Sequence, residues 1–93
     1  MKYQIVSTSR FKKDAHLAKK QGRDLKKLVR VINLLAEGAR LPKENKDHSL
    51  KGNFSGYREC HIESDWLLVY KIDGDLCILT LSRTGTHSVL FGK

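Results

Sequence analysis

The spacing of apolar residues changes once along this chain, and that change leaves few architectures open. Leu25, Leu28, Val29, Ile32, Leu35 and Ala36 recur at helical intervals. Asp24 is placed to cap this helix, Gly38 to end it, and Pro42 follows shortly after. Beyond Gly56 the period shortens to that of strands, and residues 57–62, 66–71 and 76–82 read as three of them. The Glu63-Ser64-Asp65 run can turn the first pair. Asp73-Gly74 is a two-residue hairpin signal for the second. Trp66, Leu67, Leu68 and Val69 are apolar at every position, as befits a central strand.

Upstream, residues 2–6 alternate weakly and predict a first strand. Ser7-Thr8-Ser9 offers N-caps for a helix over residues 10–20, whose apolar stripe is only Phe11, Ala15 and Ala18 and which Gly22 breaks. Residues 39–56 form a long polar connection, the sort of segment that carries function or moves. The tail from Arg83 to Phe91 is read as too short for a further element and is expected to fold back along the sheet. The order is then β-α-α-β-β-β, an α+β fold in which a small, mostly antiparallel sheet carries its helices on one face and leaves the other open and concave. With 93 residues, one domain over residues 1–93 is expected, with a thin core.

Charge narrows the function classes. Lys and Arg number 18 against 10 Asp and Glu, a net charge of +8, and a field of that sign attracts polyanions. Nine of the 18 lie between Arg10 and Arg30, opposed only by Asp14 and Asp24, so the helical hairpin has a basic outer face. Cys60 and Cys77 both fall in predicted strands. Two buried thiols in a reducing compartment are the expectation, a disulfide the alternative. There is no zinc-finger spacing, signal peptide or bilayer-length apolar run, so cytoplasm is expected and no membrane partner.

Chemistry concentrates in the C-terminal half. His48 lies in the long connection, His61 on the first strand of the meander and His87 in the tail; His16, on the charged first helix, reads as surface. Glu59 stands two residues before His61 and so shares its face. Asp65 is in the next turn, and Lys51, Arg58 and Arg83 are expected within reach. RNA cleavage needs such a set. One group takes the proton from the 2′-hydroxyl, another protonates the leaving 5′-oxygen, and a cation stabilises the phosphorane. Histidine suits the first two roles because its unperturbed pKa is about 6.5. The RNA supplies its own nucleophile, so no metal or other cofactor is required. A metal site from His48, His61 and His87 is the other use of these residues, and the lack of regularly spaced Cys or carboxylate ligands weighs against it. Taken one by one, each residue also has an ordinary reading as packing or surface.

Three segments together carry a resemblance: Lys46-Asp47-His48-Ser49-Leu50-Lys51-Gly52, the run from Gly56 to Trp66 through Tyr57-Arg58-Glu59-Cys60-His61, and Arg83-Thr84-Gly85-Thr86-His87-Ser88-Val89-Leu90-Phe91. They resemble the YafQ branch of the RelE/ParE toxin superfamily, along nearly the whole chain. The resemblance implies the toxin of a type II toxin–antitoxin pair, an endoribonuclease cutting messenger RNA in the ribosomal A site. It places catalysis on His48, His61, Asp65 and His87. Phosphate and substrate contacts fall to Arg83, Phe91, Lys51, Arg58 and Glu59. Glu59 stands where Asp is expected, and its extra methylene should displace the carboxylate. Lys12, Lys13, Lys19, Lys20, Lys26, Lys27 and Arg30 would contact ribosomal RNA through salt-sensitive phosphate pairing. His87 would protonate the leaving oxygen, and His48 or His61 with Asp65 would activate the 2′-hydroxyl. Arg83 would stabilise the phosphorane, and Phe91 would stack on a base. The implied partners are an acidic antitoxin of the DinJ/RelB kind, ribosome and messenger RNA, and operator DNA for the toxin–antitoxin complex. Two rivals stay open: a ParE-like toxin acting on DNA gyrase, and a non-enzymatic basic RNA- or DNA-binding module. Neither needs the three histidines.

Overall fold

The computed structural model describes residues 2–92, so the two ends of the expected domain, Met1 and Lys93, lie outside them. The elements are β1 (Gln4–Ser7), α1 (Ser9–Lys20), α2 (Leu25–Ala36), β2 (His48–Ser49), β3 (Arg58–Glu63), β4 (Trp66–Asp73), β5 (Ile78–Gly85) and α3 (His87–Phe91). The sheet order is β1-β5-β4-β3-β2; β1 runs parallel to β5 and every other pairing is antiparallel. This is the expected α+β fold with two elements added: β2, from the connection, and α3, from the tail.

Both long helices begin and end as their sequences dictate. The Thr8 hydroxyl accepts from the Phe11 amide, and the Asp24 carboxylate from Lys26. Each ends in a paired C-terminal hydrogen-bond motif closed by a left-handed glycine. Arg23 N–H reaches the Ala18 carbonyl and Gly22 that of Lys19; Ala39 reaches Leu34 and Gly38 reaches Leu35. A side chain at Gly38, at φ +75°, would be strained and would have to push the flexible Lys2 side chain aside, whose Cδ lies 2.6 Å from where a Cβ would stand.

The helices cover one face of the sheet. Phe11, Ala18, Leu28, Val31, Ile32, Leu35 and Ala36 meet Cys60, Trp66, Leu68, Tyr70, Leu79 and Leu81 in one core. The other face is not bare, contrary to expectation. Leu67 and Val69 point to it, opposite His61 and Glu59 in the ladder, and both are buried. Part of the cover is α3, whose Leu90 and Val89 side chains sit over Gly85. This turns an open surface into a cleft.

Two further expectations are corrected. The β4–β5 connection spans residues 74–77 rather than two residues, because the Asp73 carboxylate accepts from the Asp75 and Leu76 amides and widens the turn. Cys77 therefore lies exposed in that turn with φ +54°, not buried in a strand; Cys60 is buried, and both thiols are free.

Candidate active site

β3 builds the centre of the site by strand alternation. Glu59 and His61 point into the cleft, while Arg58 and Cys60, at the other parity, pair with Tyr70 and Leu68 on the helix-covered side. His48 pairs with Glu59 across β2–β3, so the same face receives it. The bulge of β5 between Leu81 and Arg83 resets its alternation and puts Arg83 opposite Val69 in that row. His87 arrives from α3, whose first turn is capped by the Thr86 hydroxyl.

The three imidazoles meet at one carboxylate. Nε2 of His61 lies 3.7 Å from Oε1 of Glu59, and Nε2 of His48 and of His87 each lie 3.9 Å from the same oxygen. Glu59 is 5% exposed. The His61 and His87 rings are 5.6 Å apart, centroid to centroid. The Glu59 carboxylate thus lies in the middle of the histidine set.

The far ring nitrogens are fixed from behind. Nδ1 of His87 is 2.8 Å from Oδ1 of Asp65, which also accepts the His87 backbone N–H at 3.0 Å. These two hydrogen bonds hold the Asp65 carboxyl below the usual carboxylate range. Nδ1 of His48 is 2.7 Å from the Lys46 carbonyl. A carbonyl can only accept, so this nitrogen carries the proton and Nε2 of a neutral His48 presents its lone pair to the cleft. Asn45 donates to the His61 carbonyl at 2.7 Å and ties the connection to β3.

Not every predicted residue is at the centre. Asp65 serves His87, not His48 or His61, because the β4–β5 ladder places the turn after β3 beside α3. Arg58 is corrected outright: it lies on the opposite face of β3 and donates to Asp47, Nη2 to Oδ2 at 3.2 Å, and to Tyr70. Arg83 shares the row of Glu59, but its Nε and Nη2 donate to the Asp14 carboxylate of α1 at 2.8 and 3.2 Å. Lys51 is exposed in the connection. Phe91 packs edge-to-face against Phe54, centroids 5.1 Å apart, and Phe54 is a partner that sequence reading missed although its aromatic character was the signal. Lys12, Lys13, Lys19, Lys20, Lys26, Lys27 and Arg30 are all exposed, and Lys27 pairs with Glu63 at 3.0 Å. Glu59, His61 and His87 bring ligand atoms within 4.8 Å of one another and are of the kind that holds a zinc- or copper-like ion, although ligation would occupy the ring lone pairs that proton transfer needs.

Comparison with known proteins settles the family. A family model described as the bacterial toxin of a type II toxin–antitoxin system, YafQ, matches residues 3–92. The chain belongs to the YafQ toxin family. Among YafQ relatives, the mRNA interferase toxin YafQ of Escherichia coli K12 is 43% identical over 89 residues, 95% of each chain. The crystal structure of the E. coli DinJ-YafQ toxin-antitoxin complex matches with a TM-score of 0.89 and 40% identity, covering 99% of this chain and 100% of that one. A metal-bound toxin from Helicobacter pylori matches with a TM-score of 0.91 and 43% identity, covering 96% and 99%. Among the described residues of this YafQ-family chain, no helix is long and apolar enough to cross a membrane.

Proposed function

We propose that this chain is the toxin of a type II toxin–antitoxin pair and cleaves messenger RNA in the ribosomal A site by acid–base attack of the 2′-hydroxyl. The observation that carries the reading is the convergence of His48, His61 and His87 on Glu59, with Asp65 behind His87. His48, with Nε2 unprotonated, accepts the proton of the 2′-hydroxyl as that oxygen attacks phosphorus. A 2′,3′-cyclic phosphate forms, the P–O5′ bond breaks, and the 5′-oxygen takes a proton from Nε2 of His87. Asp65 orients the His87 ring and stabilises its protonated form, as a carboxylate does behind a catalytic imidazole. Glu59 sets its carboxylate beside all three rings.

His61, half-buried against Glu59, lines the scissile phosphate. Arg83 reaches the phosphorane by exchanging Asp14 for it, Lys51 offers a phosphate contact at the rim, and Phe91 backed by Phe54 presents an aromatic surface for a base. The exposed lysines of α1 and α2 with Arg30 contact ribosomal RNA. The restraining partner is an acidic antitoxin, as DinJ accompanies YafQ in the E. coli complex, and this chain with its own antitoxin binds operator DNA. The cytoplasm, where ribosomes are, is the place of action.

The test is messenger RNA programmed into ribosomes, and free RNA separately, with wild type and His87→Ala. Cleavage at a defined position on the ribosome, lost in His87→Ala with ribosome binding retained, is expected. Equal cleavage by the variant overturns the assignment. Gyrase inhibition without cleavage would favour the ParE-like alternative.

A further inference from the structure

His48 carries the base role on a short support. β2 is two residues long, half of the His48 side chain is exposed, and among the described residues its ring has one hydrogen bond, from Nδ1 to the Lys46 carbonyl. The chain enters β2 through Lys46 in the left-handed region, φ +47°, a conformation that a residue with a side chain keeps only when its surroundings hold it. Something must hold this turn, and the residue between Lys46 and His48 shows what does.

Asp47 is held on both carboxylate oxygens. Oδ2 accepts from Nη2 of Arg58 at 3.2 Å. Oδ1 accepts from Nε of Arg58 at 3.4 Å and from the Tyr70 hydroxyl. Arg58 also donates to the Tyr70 oxygen at 3.3 Å, so the three side chains close a ring of hydrogen bonds. Two of its members belong to the rigid part of the fold. Tyr70 is 1% exposed in the central strand, and Arg58 pairs with it across the β3–β4 ladder. Burial and the neighbouring carboxylate push the Tyr70 hydroxyl up, and Asp47 raises Arg58, so both remain donors at neutral pH.

Successive residues of a strand point to opposite faces. Asp47, the residue just before β2, is fastened to Arg58 and Tyr70 on the helix-covered side, while His48, the first residue of β2, pairs with Glu59. We propose that Asp47, clamped by Arg58 and Tyr70, is a positioning residue that sets the His48 imidazole in the cleft. The proposal rests on the reading of His48 as the base. It gives Arg58 a role distinct from phosphate binding, and gives Asp47 and Tyr70 one where sequence reading had none.

The experiment compares Asp47→Asn, Tyr70→Phe and His48→Ala in single-turnover cleavage of ribosome-programmed messenger RNA, with imidazole NMR signals recorded for each. Loss of a group that orients a catalytic side chain typically costs about 10–100-fold, and that fall is expected in kcat for the first two variants with KM unchanged. The His48 imidazole signals should move while those of His87 stay. If His48→Ala cleaves at the wild-type rate, the base reading falls. If His48→Ala is inactive while Asp47→Asn and Tyr70→Phe cleave like wild type with His48 signals unmoved, the positioning proposal alone falls. Equal disturbance of His48 and His87 would mean a merely structural clamp, which also overturns it. Should Asp47→Asn fail to fold, Tyr70→Phe, which removes a single oxygen, decides the outcome.

Discussion

Thr84→Val should cost this protein a large part of its stability, although it exchanges a hydroxyl for a methyl of nearly the same volume. The Thr84 hydroxyl lies 2% exposed between two partners: it accepts the Trp66 indole N–H at 2.9 Å and donates to the Leu67 carbonyl at 2.6 Å. Valine keeps the packing and removes both bonds. The indole N–H, on a side chain with no exposed surface, is then buried without an acceptor, which costs about 1–3 kcal/mol. Loss of the bond to Leu67 adds about 1 kcal/mol. Together these come to about 2–4 kcal/mol, against a total that for a domain of this size is about 5–14 kcal/mol. Thr84→Ser keeps both bonds and loses one methyl, about 1 kcal/mol. Urea unfolding followed by the fluorescence of the single tryptophan measures the difference, and the m-value should not change. A Thr84→Val shift under about 0.5 kcal/mol would show that the indole N–H finds another partner, and the reasoning would fail. Because Trp66 follows Asp65 and Thr84 precedes the α3 cap by two residues, the same variant should also loosen Asp65 from His87 and slow cleavage.

Other expectations follow from single contacts. Cys77 should react quickly with a thiol reagent in the native protein. Cys60, buried and with its thiol pushed up to about 12, should react only on unfolding; fast labelling of both would contradict the burial. Asp14→Ala frees Arg83 and deprives the Thr84 amide of its acceptor at 3.2 Å, so a loss of about 1–3 kcal/mol in denaturant unfolding is expected, without loss of RNA affinity. Because the folded-state pKa of Asp65 is depressed, the unfolded chain binds more protons there. The contribution of its contact with His87 is therefore present above the unfolded value of about 3.9 and lost as pH falls through the lower folded one. Carboxyl NMR shifts report this, and an Asp65 titrating at or above the ordinary value would refute it.

Physical range decides which parts of this fold were legible in the sequence. α2 was readable to the residue because its period, the Asp24 cap and the Gly38 stop are all local. β2 and α3, two and five residues long, were not: neither is stable alone, and each exists because β3 or β5 stands beside it. The Asp73-Gly74 signal misled because the Asp73 side chain competes with the tight turn. In the site, the joint presence of three histidines was legible, and the hub at Glu59 partly so, through its shared parity with His61. The same parity could have set Arg58 on the far face. The bulge that returns Arg83 to the row of Glu59, and the register that gives Asp65 to His87, leave no trace in local spacing.

β1 stands far in sequence from the strand it pairs with. Its ladder partner is β5, and Thr8 bonds to Ser82 across a separation of 74 residues, so closing that pair fixes most of the chain at once. That pair closes only one edge of β5; the other belongs to β4, whose ladder sets Asp65 beside His87. The acid half of the cleft therefore rests on the short-range β4–β5 hairpin and not on the long-range closure at β1.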